Sequence, residues 1–237
     1  MRPIEDRPPA LRVLVVGDVN DDDMGFVGER LRERGAEITR LDRDRLPPYA
    51  DAGTARLVLL LGSARSGHSQ EHAEVVEIES AFVRSALDDG VPVLGICYGS
   101  QLLAHALGGQ ILASPQPEIA VTRIESYDAR LCPPGPWVLL HSDTFEPPAG
   151  ARVLGRTPGG CQGFTDESRA ARAMAWQFHP EVKPLELSGW LDKLEVWVES
   201  NGGDAERVRE EAFARGDQLR AQAYQLTDDA LAWLLAR

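Results

Sequence analysis

No stretch of the 237-residue chain approaches the roughly 18 consecutive apolar residues that a membrane-spanning helix needs, so no membrane partner is expected. Cysteine is scarce. Cys97, Cys132 and Cys161 are an odd set with no CxxC pair and no metal-ligand spacing. Neither a disulfide framework nor a zinc site is indicated, and a reducing, cytoplasmic setting fits. Basic side chains are outnumbered, 25 Lys and Arg against 37 Asp and Glu, so the surface field repels nucleic-acid phosphates and anionic lipid. Met1 to Ala10 carries charges of both signs and several prolines but no apolar stretch, unlike a signal peptide. What is present, 43% apolar and 26% charged residues, is ordinary globular composition and excludes disorder, collagen and coiled coil. A chain of this length buries roughly 70 to 75% of its unfolded surface. One core can therefore stand without disulfides or metals. Neither a repeat nor a linker is visible, which points to a single domain over residues 1–237.

Leu11 to Asp18 reads as a strand buried on both faces, and a helix carrying Phe26, Val27 and Leu31 follows, ended by Gly35. Ala36 to Leu41, Arg56 to Leu61 and Val91 to Ile96 read as further strands. A helix between Glu71 and Asp88 carries Val75, Ile78, Phe82 and Ala86 at helical intervals. Strands alternating with helices imply a doubly wound α/β sheet. From Gln110 to Phe178 the chain turns to short β-forming segments punctuated by proline: Gln110 to Leu112, Ile119 to Ile124, Trp137 to Leu140, Ala151 to Leu154 and Ala173 to Phe178. These read as antiparallel strands added to the sheet. Helices are expected over Glu186 to Val198, Asp204 to Ala223 and Asp228 to Leu235, with breaks at Asn201 to Gly203 and at Leu226-Thr227.

The strongest local signal is Gly95-Ile96-Cys97-Tyr98-Gly99, where a strand ends and a helix begins. A nucleophile on such a turn is held in a strained backbone conformation pointing into the crevice, and glycines two residues either side avoid clashes. The helix N-terminus favours thiolate over thiol and can stabilise an oxyanion. A buried structural cysteine is the competing reading. A cysteine nucleophile needs a base, and the base an orienter. Gln177-Phe178-His179-Pro180-Glu181 supplies both, because residues two apart on an extended segment project to the same side.

Gly95 to Gln101, followed later by Gln177 to Val182, resembles the class I (triad) glutamine amidotransferases, in particular stand-alone proteins similar to GMP synthase. The resemblance covers most of the chain, to Val182, and implies that Cys97 is the nucleophile, His179 the base and Glu181 its partner. It implies that Leu61-Gly62-Ser63-Ala64 is the oxyanion strand, with the backbone N–H groups of Ser63 and Tyr98 holding the oxyanion. Donors of this kind are worth about 3 to 4 kcal/mol each. It further implies that His141-Ser142-Asp143, with Gln101, lines the pocket for the amino-acid end of glutamine. Many relatives carry glycine where Ser63 and Ser142 stand, so a positive φ at Ser63 would strain it.

These readings combine into one flavodoxin-like domain with a mainly parallel sheet, added antiparallel strands and C-terminal helices. The core runs from about residue 10 to 183, with an extension over about 184–237. The expected activity is hydrolysis of the side-chain amide of L-glutamine through a Cys97 thioester, without a cofactor. No phosphate loop is present, so the ammonia would pass to a synthetase on a separate polypeptide. The alternatives are a γ-glutamyl peptide or amine hydrolase using the same triad, and a non-catalytic regulatory or binding subunit. His68-Ser69-Gln70-Glu71-His72 matches H-x-x-E-H but lacks a third ligand, so solvent-facing residues at a helix start are expected there. Asp21, Asp22 and Asp23 read as a solvated acidic loop, His105 as structural, and Cys132 and Cys161 as non-catalytic. The stripe of Leu187, Trp190, Leu191, Leu194 and Trp197 reads as packing on the core, with part of it able to dock a partner.

Overall fold

A computed structural model of the chain describes residues 10–19, 24–46 and 50–236. The acidic run Asp21 to Asp23 and most of the N-terminal decapeptide lie outside the described residues. The elements follow in chain order as β1 (Arg12–Gly17), α1 (Gly25–Glu33), β2 (Glu37–Asp42), β3 (Leu57–Leu60), α2 (Ala73–Asp88), β4 (Val93–Ile96) and α3 (Tyr98–Ala106). After them come β5 (Gln110–Thr122), β6 (Glu125–Ser126), β7 (Trp137–Glu146), β8 (Arg152–Thr157), β9 (Gly160–Asp166) and β10 (Ala173–Trp176). Three helices close the chain: α4 (Pro184–Ser200), α5 (Ala205–Ala214) and α6 (Gly216–Leu234).

Among the described residues the main sheet has eight strands in the order β2-β1-β3-β4-β10-β9-β8-β6. The first five run parallel, and β9, β8 and β6 continue the sheet antiparallel. This is the doubly wound α/β arrangement expected. The period-2 alternation of side chains splits the core between the two faces. Leu57, Leu59, Leu61, Leu94 and Ile96 point to one face, where α1, α4, α5 and α6 pack; Val58, Leu60 and Val93 point to the other, under α2 and α3. Both faces are covered, which is why β1, β3 and β4 are uninterrupted apolar runs.

Several local expectations are corrected. Gln110 to Leu112 and Ile119 to Thr122 belong to one long strand, β5, which ends two residues short of Ile124 and is irregular between Ala113 and Glu118 where Pro115 and Pro117 stand, because proline cannot donate to a ladder. It pairs with β7 in a separate two-stranded sheet and does not extend the main one. β9 lies between β10 and β8, where glycine-rich polar sequence gave no strand signal. The break in the last helices falls at Arg215 beside Gly216, whereas Leu226 and Thr227 lie inside α6. The Thr227 hydroxyl donates to the Ala223 carbonyl at 2.7 Å, so threonine is satisfied within the helix. On α2 the buried face is turned from the expected one. Val76, Glu79, Phe82, Val83 and Ala86 are buried, while Val75 and Ile78 are half-buried. No helix among the described residues is long and apolar enough to cross a membrane.

Candidate active site

The carboxyl ends of the parallel strands converge on one crevice, the position where open α/β sheets bind ligands. Asp18 follows β1, Gly62 and Ser63 follow β3, Cys97 follows β4, and His179 and Glu181 follow β10; all six line one cavity of about 440 Å³.

Cys97 has φ 51° and ψ −112°, and among the described residues it is the one non-glycine with positive φ. Its N–H donates to the Trp176 carbonyl at 2.8 Å, while its own carbonyl accepts from the N–H of Ser100 and of Gln101 and from the Ser100 hydroxyl at 2.6 Å. The turn is thus fixed on both sides. The flanking glycines are required by space. A Cβ on Gly95 would lie 2.4 Å from the Gly99 carbonyl oxygen, and one on Gly99 would lie 2.3 Å from that of Leu60.

His179 is buried and held by its N–H to the Val138 carbonyl at 2.9 Å. Its Nδ1 stands 2.7 Å from Glu181 Oε1, and the Cys97 side chain lies beside its ring. A Cβ on Gly62 would touch both residues, 3.4 Å from His179 Cε1 and 3.5 Å from Cys97 Cβ, so the bare Gly62 backbone forms the floor between them. Burial disfavours the imidazolium, but the Glu181 carboxylate and the Cys97 sulfur outweigh it and hold His179 well above its ordinary range. The structure therefore brings together the three residues singled out for chemistry. It does not do so for the other cysteines. Burial pushes the Cys161 thiol up to about 11 and that of Cys132 further, and neither lines the cavity.

Ser63 has no positive φ, so the serine is not strained as a glycine-requiring position would make it. Its hydroxyl donates to Asp18 Oδ2 at 2.9 Å and accepts from the Arg65 N–H at 3.2 Å, tying the loop to the end of β1. Gln101, His141 and Ser142 line the opposite wall. Gln101 Nε2 donates to the Asp143 carbonyl and to Gln177 Oε1, each at 3.2 Å, which leaves Gln101 Oε1 a buried acceptor with no partner among the described residues. The Asp143 carboxylate accepts from the Ser66 hydroxyl at 2.8 Å and the Gly67 N–H at 3.0 Å, so it pins the loop after β3. His141 Nδ1 lies 3.0 Å from the Asp143 carbonyl, and its Nε2 is 3.2 Å from Glu118 Oε2, close enough for charge attraction but off the line of a hydrogen bond.

The H-x-x-E-H segment does not converge on one point. His68 Nδ1 lies against the Ser66 hydroxyl at 2.9 Å and Asp143 Oδ1 at 3.1 Å, while His72 Nδ1 binds the Ser66 carbonyl at 2.9 Å. Both rings brace the loop after β3. His105 pairs with Glu77 at 2.7 Å on the surface between α3 and α2.

Two features were not found from the sequence. The first is a buried ion cluster beneath the crevice. Arg43 Nη1 donates to Glu79 Oε1 at 2.8 Å, its Nη2 donates to the carbonyls of Leu61 and Gly62 at 2.9 and 3.1 Å, and the guanidinium lies 4.8 Å over the Tyr98 ring. The Tyr98 hydroxyl donates to Glu79 Oε2 at 2.7 Å. Arg43 Nε is 2.7 Å from Asp18 Oδ1, an ion pair without hydrogen-bond alignment. Burial pushes the Glu79 carboxyl up, against the opposing pull of Arg43 and Tyr98. The second feature is the use made of the apolar stripe on α4. Leu187 and Leu191 pack in the core as expected, but Trp190, Leu194 and Trp197 are half-buried and line the cavity, with Lys193 beside them. The Trp190 ring meets His179 edge-on at 5.3 Å.

Three comparisons bear on this arrangement. A model of the family described as class-I glutamine amidotransferase matches residues 26–189. The chain is 31% identical over 230 residues to a glutamine-hydrolysing GMP synthase of Aeropyrum pernix, a match covering 90% of this chain and 43% of that protein. It is 37% identical over 103 residues to a glutamine-hydrolysing GMP synthase subunit from Saccharolobus solfataricus, covering 40% of this chain and 54% of that one. The chain thus spans only about half, or less, of the length of these relatives. Its structure is similar to that of a glutamine amidotransferase from Thermotoga maritima, with a TM-score of 0.79 at 25% identity, covering 96% of this chain and 99% of the other.

Proposed function

The chain belongs to the class I glutamine amidotransferase family, and from that premise we propose that it hydrolyses the side-chain amide of L-glutamine, with Cys97 as nucleophile, His179 as general acid and base, and Glu181 as its orienter. The observation that supports this best is the strained Cys97 turned toward a buried His179, whose far nitrogen is held 2.7 Å from Glu181. Raised above its ordinary range, His179 keeps a proton ready for the leaving nitrogen at neutral pH.

In the proposed sequence the Cys97 sulfur attacks the amide carbon, and the oxyanion is met by the backbone N–H groups of Ser63 and Tyr98. His179 then protonates the departing nitrogen, ammonia leaves, and a γ-glutamyl thioester remains. Water gives a proton to His179 as it attacks the thioester, the C–S bond breaks, and glutamate forms. Gln101 Oε1, buried and unpartnered among the described residues, accepts from the substrate ammonium. Gly62, His141 and Ser142 shape the rest of the pocket. The hydrolytic core spans about residues 10–183, and within the extension over about 184–237 helix α4 lines one side of the site. The relative named as a GMP synthase subunit supports a synthetase on a separate polypeptide as the destination of the ammonia.

The test is release of ammonia and glutamate from L-glutamine by the purified chain, with covalent labelling by a diazoketone analogue of glutamine. Label mapped by mass spectrometry to Cys97 supports the reading; no release and no label at Cys97 overturns it. A second expectation concerns pH. The Glu181 carboxylate raises His179, so in Glu181→Gln the imidazolium loses its proton at lower pH, and the alkaline limb of kcat/KM moves in the acid direction. Turnover at neutral pH falls about 10²-fold. An unmoved alkaline limb would assign that limb to another group.

A further inference from the structure

The cavity has two unlike ends. One is polar, formed by Gln101, His141 and Ser142, and suits the amino-acid end of a glutamyl group. The other is the face of α4 that carries Trp190, Lys193, Leu194 and Trp197, residues three and four apart and therefore on one side of the helix. These four lie beyond residue 189, where the match to the family model ends. On the α4 side, Trp190 stands edge-on to the His179 ring at 5.3 Å.

The position of this wall gives it a meaning. The proton of His179 goes to the leaving nitrogen, so any substituent on that nitrogen extends past His179 toward Trp190. When ammonia leaves there is no such substituent, and only the cavity-facing sides of two indoles and a leucine, whose other sides pack on the core, go unfilled. The cavity, about 440 Å³, has the size of pockets for larger ligands, roughly 300 to 1,000 Å³, and glutamine fills only part of it. Flat indole walls suit an aromatic ring. Lys193 has no ion pair among the described residues and stands on the same wall, placed for an anionic group on the amine.

We propose that this wall is a leaving-amine subsite, and that the chain cleaves γ-glutamyl amides of aromatic amino acids in preference to glutamine. The inference rests on the thioester chemistry proposed above and adds a substrate class to it. The Cys97 thiolate forms the C–S bond and the C–N bond breaks. The imidazolium proton of His179 passes to the nitrogen, and the aromatic amino acid departs as a free amine. Water then attacks the thioester, its proton passing to His179, and releases glutamate and the thiolate.

The test compares glutamate release by the full chain from L-glutamine, γ-glutamyl-glycine and γ-glutamyl-phenylalanine. The expected kcat/KM for γ-glutamyl-phenylalanine exceeds both others by at least about tenfold. In Trp197→Ala the ratio of γ-glutamyl-phenylalanine to glutamine turnover falls by about the same factor, a ratio that partial loss of folded protein does not change. Lys193→Gln raises KM for γ-glutamyl-phenylalanine and not for glutamine. If γ-glutamyl-phenylalanine is turned over no faster than γ-glutamyl-glycine, or not at all, the subsite is overturned, whatever happens with glutamine. That outcome leaves the triad reading standing as long as the diazoketone still labels Cys97, and an α4 wall serving a partner protein then becomes the better account.

Discussion

Replacing Cys97 with alanine lowers kcat for glutamine hydrolysis by at least about 10⁴-fold, because no other group at the end of β4 can form the thioester. Glutamine binding persists, since Gln101, His141 and Ser142 are untouched, and isothermal titration against the variant checks this. The same position makes a second, opposite demand on stability. With φ 51° and ψ −112°, Cys97 occupies backbone space that costs a residue with a Cβ about 1 to 3 kcal/mol. Glycine escapes that cost. Cys97→Gly is therefore more stable than Cys97→Ala by about 1 kcal/mol, the reverse of the usual order within regular structure. Urea denaturation of the two inactive variants reads this directly. Alanine proving the more stable would mean that the elbow holds no strain, and the rationale for its directed sulfur would fail.

What the sequence made legible follows from how local each signal is. The elbow is written in five consecutive residues, and its two glycines meet carbonyl oxygens closer than any Cβ could. His179 and Glu181 are likewise two positions apart on one segment. β1, β3 and β4 stand out because both faces are covered, which makes the run of apolar residues continuous. β9 did not stand out. Its Gln162 is buried, and what makes that tolerable is a bond from Nε2 to Glu118 at 2.8 Å, a residue on β5 far away in the chain. The same distance hid the ion cluster. On α2, Glu79 sits between Val76 and Val83 at helical spacing, so a pattern that assigns every charge to solvent turns the helix the wrong way. A carboxylate in register with the apolar stripe was the available clue, and its partner Arg43, in the turn after β2, carries no local mark of burial.

That cluster carries the second large effect. Arg43→Ala leaves Glu79 buried without its cation and costs about 3 to 5 kcal/mol of stability. Burial already pushes the Glu79 carboxyl up, and losing Arg43 pushes it further. A carboxyl raised in the folded state binds its proton more tightly there than in the unfolded chain, so the variant regains part of its stability as pH falls toward the ordinary carboxylate range, about 4.3. The cluster also has a catalytic reach. Arg43 Nη2 binds the carbonyls of Leu61 and Gly62, and the second of these belongs to the peptide whose N–H is that of Ser63. Through Glu79 the same guanidinium reaches the Tyr98 side chain, so one buried charge braces the residues of both proposed oxyanion donors. Arg43 is thus a positioning residue, separable from its structural role. In the triple variant Arg43→Met, Glu79→Leu, Tyr98→Phe the buried carboxylate is removed with its cation, while Asp18 loses Arg43 but stays part-exposed and bonded to the Ser63 hydroxyl, and stability returns to within about 2 kcal/mol of the parent. The peptide between Gly62 and Ser63 still lacks the donor to its carbonyl and tilts, so kcat stays about 10²-fold low while KM changes little. Full kcat in that refolded variant would show that the cluster only holds the crevice together, since a donor that needs no bracing stays aimed at the oxyanion when the charge beneath it is gone.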